Sequence, residues 1–238
     1  MTRRQAQLIG EAALSPSVRG MTLRLADGEP LGHTAGQWVN LHVPVAGETA
    51  VRAYSIASPP GGPRDDRFEL AVTRVEGGAG SSALHAISVG AMLEVDGPHG
   101  LFTRDGHDRS VPALFVGTGT GLAPLRAMVL DELERGDSGP LVVLFGCRTV
   151  ADILWGGELA AVAAANDRLR FEVTLSRPDD CWAGRTGHVQ SHLREVAAGL
   201  GRPHVYVCGL SKMVKDVRRI LKAELGLERR LIHSERYD

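Results

Sequence analysis

The sequence predicts two domains: an antiparallel β-barrel followed by an α/β domain with a parallel, Rossmann-like sheet. Three observations predict this. Residues 1 to about 108 carry short alternating or apolar runs separated by Gly, Pro and Asp, the pattern of many short strands joined by turns. Residues 109–238 alternate apolar strands with helical stretches, which calls for a parallel sheet with helices on both faces. The polar segment Asp105–Ser110 separates the two patterns, and 238 residues are enough for two cores.

In the first half, strands are expected at Gln7–Ile9, Met21–Leu25, Trp38–Val43, Val51–Ile56, Phe68–Val75 and Met92–Val95. Turns are expected at Asp27-Gly28, Pro59-Pro60-Gly61-Gly62 and Gly77-Gly78. One short helix, Ser82–Ile87, interrupts the strands. In the second half, Ala113–Val116, Leu141–Phe145, Leu169–Leu175 and His204–Cys208 read as strands. Leu122–Glu134, Gly157–Ala165, Gly187–Ala197 and Ser211–Leu225 read as helices.

Composition narrows the function classes. Apolar content is 43%, charged content 23% and net charge −1, so no global field draws the chain to nucleic acid or an anionic membrane. No apolar run approaches the roughly 20 residues that span a bilayer, and the first twenty residues lack the apolar core of a signal peptide. Cys147, Cys181 and Cys208 are widely spaced. They fall short of the four thiolates of an iron–sulfur cluster and read as reduced cytoplasmic thiols. The nine histidines show no metal-ligand spacing, so no metal site is expected.

Four segments carry chemistry. Val116-Gly117-Thr118-Gly119-Thr120-Gly121-Leu122-Ala123-Pro124 follows a strand and opens a helix. Glycines there let backbone approach a pyrophosphate, and the helix start supplies amide donors. The loop is not G-x-G-x-x-G, so alone it is a weak signal. A second strand ends at Cys208-Gly209 and leads into a helix through Met213. Ligands of such sheets bind at the carboxyl ends of strands, so Cys208 and Gly117 should face one crevice; a buried structural cysteine would fit equally. On a strand, Arg52, Tyr54 and Ile56 share one face, and Ala53 and Ser55 the other. That presents a cation beside a stacking surface, although an ordinary cross-strand Arg–Tyr pair gives the same pattern. Gly77-Gly78-Ala79-Gly80-Ser81-Ser82 leads small residues into a helix, a second place where amides grip phosphate. Two such loops favour two bound nucleotides.

In order and spacing, these elements resemble the ferredoxin/flavodoxin–NADP+ reductase family over nearly the whole chain. Ala35-Gly36-Gln37-Trp38 is similar to the family's P-G-Q-[FY], with Ala for Pro. Arg52-x-Tyr54-Ser55 matches R-x-Y-S, and Gly78-x-x-Ser81 matches G-x-x-[ST]. Gly117-Thr118-Gly119 with Ala123-Pro124 matches the nicotinamide-nucleotide loop, and Cys208-Gly209 with Met213 matches C-G-x-x-x-M. Gly97-Pro98-His99-Gly100 resembles the turn that closes the family's barrel.

The resemblance implies an FAD-binding barrel at 1–108 and an NAD(P)-binding domain at 109–238 whose C-terminal tail returns to the flavin. It implies that Arg52, Ala53, Tyr54, Ser55, Gly78, Gly80, Ser81 and Ser82 hold FAD. Tyr54 would stack on one flavin face, Arg52 would pair with the phosphates, and Ser55 would lie near N5. Gly117, Thr118, Gly119, Thr120, Cys208, Gly209 and Met213 would hold NADP(H), with Cys208 and Glu235 beside the hydride-transfer site. His233-Ser234-Glu235-Arg236-Tyr237-Asp238 looks like the family's acidic-x-aromatic ending, so Tyr237 would cover the other flavin face; a frayed tail is the plain alternative.

Strand ends decide NADPH against NADH, because cationic side chains there suit a 2′-phosphate. Arg148, Ser176, Arg177 and Arg185 stand at such ends, so NADPH is expected, with NADH the alternative in so Arg-rich a chain. The implied activity passes single electrons to ferredoxin or flavodoxin. Alternatives are the reductase component of a multicomponent oxygenase, a non-catalytic flavoprotein subunit, and a free-flavin or ferric reductase. The protein is expected to be a monomer.

Overall fold

A computed structural model describes residues 3–61, 66–136 and 139–237. Gly62 of the expected Pro59–Gly62 turn and Asp238 of the expected C-terminal ending lie outside the described residues. Contacts divide the chain into two compact units, Met1–Asp105 with Arg126–Asp131, and Gly106–Leu125 with Glu132–Asp238.

The first unit holds strands β1 (Arg4–Ser15), β2 (Val18–Leu25), β3 (Trp38–Val45), β4 (Glu48–Ser55), β5 (Arg67–Thr73) and β6 (Met92–His99), with helix α1 (Ala79–Ala86) between β5 and β6. They form one antiparallel sheet in the order β4-β3-β6-β1-β2-β5. A bridge between Ile56 and Leu70 joins the residue after one edge strand to the other edge strand. The sheet therefore closes as a barrel, which removes free edges. Alternation along the strands turns Leu8, Leu23, Leu25, Val39, Leu41, Phe68, Leu70 and Val95 inward. Leu84 of α1 is fully buried in the same core, and this anchor fixes the loop at the start of α1. The helix begins at Ala79, earlier than expected, because the small residues Ala79–Ser82 fit its first turn.

The second unit holds β7 (Ala113–Thr118), a one-turn 3-10 helix (Gly119–Gly121), α2 (Leu122–Arg135), β8 (Leu141–Cys147), α3 (Gly156–Ala164), β9 (Leu169–Leu175) and β10 (Arg185–Thr186). It continues with α4 (Val189–Ala197), β11 (His204–Leu210), α5 (Ser211–Ala223) and β12 (Ile232–Tyr237). The sheet is parallel throughout, in the order β10-β9-β8-β7-β11-β12. Helix α5 buries Met213, Val214, Val217, Ile220 and Leu221, the three-and-four spacing of one helical face. With Val189, Leu193 and Val196 of α4 it covers Val142, Leu144, Val205 and Val207. Helix α4 starts after Gly187, not at it, because Gly187 has φ +99°. Strands β10 and β12 are additions to the sequence-based expectation. Ile232–Tyr237 is a strand paired along its whole length with β11, so Tyr237 is not part of a frayed tail. Among the described residues, no helix is long and apolar enough to cross a membrane.

Candidate functional site

In the first unit, β4 pairs with β3 so that Tyr54 faces Val39 and Arg52 faces Leu41. Directly opposed residues share a face, and Val39 and Leu41 point into the core. Tyr54 packs against that core. Burial pushes its phenol above the ordinary tyrosine range, and the Arg52 charge pulls it partly back. Ser55 is buried on the other face, whereas Ala53 is exposed. The Arg52 side chain runs over the first turn of α1: a Cβ at Gly80 would stand 3.1 Å from its Nε. The guanidinium donates to the Val51 carbonyl of its own strand and, among the described residues, meets no carboxylate. A free cation over the amide-bearing start of a helix fits a pyrophosphate.

Ser81 is bonded within its own loop. Its hydroxyl accepts the Val75 amide at 3.1 Å and donates to the Gly78 carbonyl at 3.0 Å, so it braces the loop from inside. Ser82, one residue on, is exposed. The short distance between Gly78 and Ser81 in sequence could not separate a brace from a ligand.

In the second unit, the expected juxtaposition of Cys208 and Gly117 is present: they are cross-strand partners on β11 and β7. The loop fits closely around them. A Cβ on Gly121 would stand 2.3 Å from the Cys208 carbonyl oxygen. Gly209 has φ +143°, and a Cβ there would meet Thr118 Oγ1 at 2.4 Å and Met213 Cε at 2.9 Å. Glycine is therefore required at both positions. Gly119, at φ +54°, turns Thr118 and Thr120 through the 3-10 turn into α2. A backbone cradle at the carboxyl ends of parallel strands fits a dinucleotide.

The sheet extends this end by one strand. Cys208 faces Glu235 and Leu210 faces Tyr237 across β11 and β12. Burial and the Glu235 carboxylate push the Cys208 thiol far above its ordinary range, and hydrogen bonding with Tyr237 offsets this only in part. Cys208 thus lies beside an acid and a phenol, with its thiol form favoured by burial.

The strand ends of β8 and β9 also meet. The Arg177 amide donates to the Arg148 carbonyl at 2.8 Å, and the Ser176 amide donates to the Cys147 carbonyl at 3.0 Å. Both Arg side chains are exposed. Arg185 is committed elsewhere. Its guanidinium binds Glu172 at 2.7 Å and Glu195 through two 2.7 Å bonds, and these carboxylates raise its already high pKa further. It also borders a cavity of about 440 Å³ with Ile153, Phe171 and Trp182. In this ion-pair cluster the Arg185 guanidinium is already bonded to two carboxylates.

The histidines differ most from expectation. His42 is buried, and its Nε2 lies 2.5 Å from Asp96, whose other oxygen lies 2.6 Å from His99 Nε2 and 3.0 Å from the Asn40 amide nitrogen. His107, His204 and His233 gather in the second unit, with one potential ligand atom from each lying within 4.8 Å of the others. Their sequence separations hid this group.

A barrel with a phosphate cradle and a parallel sheet with a nucleotide loop beside a buried thiol define a two-nucleotide oxidoreductase. Comparisons with known proteins agree. Residues 5–103 match the Oxidoreductase FAD-binding domain family, and residues 115–219 match the Oxidoreductase NAD-binding domain family. The chain is 49% identical to Ferredoxin--NADP reductase B of Sorangium cellulosum (strain So ce56), over 98% of this chain and 97% of that protein. It is 34% identical to the phenol 2-monooxygenase reductase component DmpP of Pseudomonas sp. (strain CF600), over 84% of this chain and 56% of that protein. The crystal structure of the Amycolatopsis cytochrome P450 reductase GcoB superposes with a TM-score of 0.88 at 32% identity, covering 99% of this chain and 69% of that one. The chain belongs to the ferredoxin reductase-like flavoproteins, oxidoreductases that join an FAD-binding to an NAD-binding domain.

Proposed function

We propose that the protein is an NADPH-dependent FAD enzyme that reduces a ferredoxin or flavodoxin, or runs that reaction in reverse. The observation that carries this reading is the meeting of Gly117–Thr120, Cys208, Glu235 and Tyr237 at one end of the parallel sheet. The full-length similarity to a ferredoxin–NADP reductase supports the acceptor class. Bound FAD supplies a two-electron hydride acceptor that releases electrons one at a time.

The residues have distinct tasks in this reading. Arg52 and the first turn of α1, with Gly78, Gly80 and Ser82, hold the FAD pyrophosphate, while Ser81 keeps their loop in shape. Tyr54 and Ala53 border the isoalloxazine, and Ser55 hydrogen-bonds near N5. Gly117, Thr118, Gly119 and Thr120 hold the NADP(H) pyrophosphate, and Gly209 and Met213 shape the floor. Cys208 stays neutral and polarisable beside the nicotinamide, and Glu235 supplies the negative charge that suits the oxidised, cationic ring. Arg148, Ser176 and Arg177 receive the 2′-phosphate. Tyr237 occupies the nicotinamide position until displaced, a gate of the kind that limits turnover.

Tyr237→Ser tests the gate. Losing the competitor should tighten NADP+ binding by about tenfold, roughly 1.4 kcal/mol, and change the rate of hydride transfer. Unchanged values for both would remove Tyr237 from the mechanism. The similarity to the phenol 2-monooxygenase reductase component favours a second acceptor, an oxygenase component; parallel reduction assays with ferredoxin and with such a component distinguish them.

A further inference from the structure

We propose that His107, His204 and His233 form a binding site for one divalent transition-metal ion, zinc being the best match. The face of the sheet sets the arrangement. His204 and Tyr206 lie two residues apart on β11, and Tyr206 faces His233 on β12, so all three share a face. The intervening residues Val205, Val207 and Ile232 point into the apolar core on the other side. His107 covers the polar face: its ring centroid lies 4.8 Å from that of His204 and 4.3 Å from that of His233.

The nitrogens are already close. His204 Nδ1 lies 3.1 Å from His233 Nε2. A tetrahedral zinc with Zn–N bonds near 2.0–2.1 Å separates its nitrogen ligands by about 3.3 Å, so these two nitrogens can bind one ion with little widening. One ring nitrogen from each of the three histidines, His107 included, lies within 4.8 Å of the others. Closing the set requires a shift of up to about 1.5 Å and rotation about the soft χ2 torsions of the rings.

The surroundings suit a metal. His107 Nδ1 lies 2.6 Å from the hydroxyl of Tyr206, a fully buried residue. A ligating histidine characteristically bonds its second ring nitrogen to such a partner, which fixes its orientation. All three histidines are half-buried, so an ion can reach them from solvent. Imidazole suits zinc, copper and nickel, and three nitrogen ligands leave a fourth position for water. The site lies at the start of β11, four residues before Cys208, which at about 3.3 Å per residue puts it roughly 13 Å from that thiol.

The test uses the full-length flavin-loaded protein, free of affinity tag and stripped with a chelator. Zn2+ is titrated by calorimetry and Co2+ by absorption. The expected result is one ion per chain, with an intense tetrahedral Co2+ spectrum free of thiolate charge transfer. Zn2+ at a hundred times its Kd should raise Tm by about 5 °C or more. His233→Gln and His107→Gln should each weaken binding at least tenfold, and Cys181→Ser should not. Absence of stoichiometric binding, or binding indifferent to both histidine substitutions, overturns the proposal. Should either variant fail to fold, electron paramagnetic resonance of Cu2+ on the unmodified protein still decides it: several imidazole nitrogens support the site, and oxygen or sulfur ligands overturn it.

Discussion

At the scale of single residues, environment separates side chains that look alike in sequence. The three cysteines show this. Cys208 is buried beside Glu235, Cys147 is pushed up to about 12 by burial and Asp152, and Cys181 is exposed. The thiolate is the reactive form, so iodoacetamide at pH 7.5 should label Cys181 first and Cys208 last. Mass spectrometry of partly labelled protein checks the order; early labelling of Cys208 would contradict its placement. Asp96 makes a second case. Its bonds to His42 and His99 hold its carboxyl well below the usual carboxylate range. A folded pKa below the unfolded one stabilises above the unfolded value and loses that contribution as pH falls. Asp96→Asn should therefore cost about 1–3 kcal/mol at pH 7, and the gap to the unmodified protein should narrow progressively as pH falls below about 4. Urea unfolding at several pH values measures it. The sequence shows where the cysteines and Asp96 stand, but not these partners. Asp96 lies 54 residues from His42, and only the pairing of β3 with β6 brings them together.

At the scale of elements, loops and strand ends were legible where the backbone itself carries the requirement. Gly117, Gly119, Gly121 and Gly209 signal a nucleotide cradle because a side chain at Gly121 or Gly209 would collide with backbone or Thr118. Gly121→Ala should destabilise the protein by about 1–3 kcal/mol and raise the KM for NADPH; an unchanged Tm and KM would show that the close approach is not enforced. Side chains that act through neighbouring elements were less legible. Arg185 looked like Arg148 and Arg177 until β9 and α4 supplied Glu172 and Glu195. Arg177→Ala or Arg148→Ala should lower the preference for NADPH over NADH by about tenfold, the effect of one lost charge-assisted phosphate contact. Arg185→Ala should lower Tm and leave that preference unchanged. Ratios of kcat/KM for the two cofactors distinguish these outcomes. Strand β12 escaped the sequence reading for a related reason. It is a six-residue edge strand with a single fully buried residue, so its pattern is polar, and only its pairing with β11 identifies it.

At the scale of the whole molecule, the order of a strand-rich half and a strand–helix half was sufficient for the architecture. Each half obeys its own period, two in the barrel and 3.6 on α4 and α5. Long-range convergence was the part the sequence withheld. The imidazoles of His107, His204 and His233 come from a connecting segment and two adjacent strands, at separations that match no metal motif. The central claim, that one chain binds FAD and reduces it with NADPH, is tested most directly by anaerobic stopped-flow spectroscopy of the purified flavin-loaded protein. NADPH should bleach the visible flavin band rapidly and NADH more slowly, and ferredoxin or flavodoxin should restore it. A protein that takes up no FAD, or whose flavin band neither cofactor bleaches, would contradict that claim.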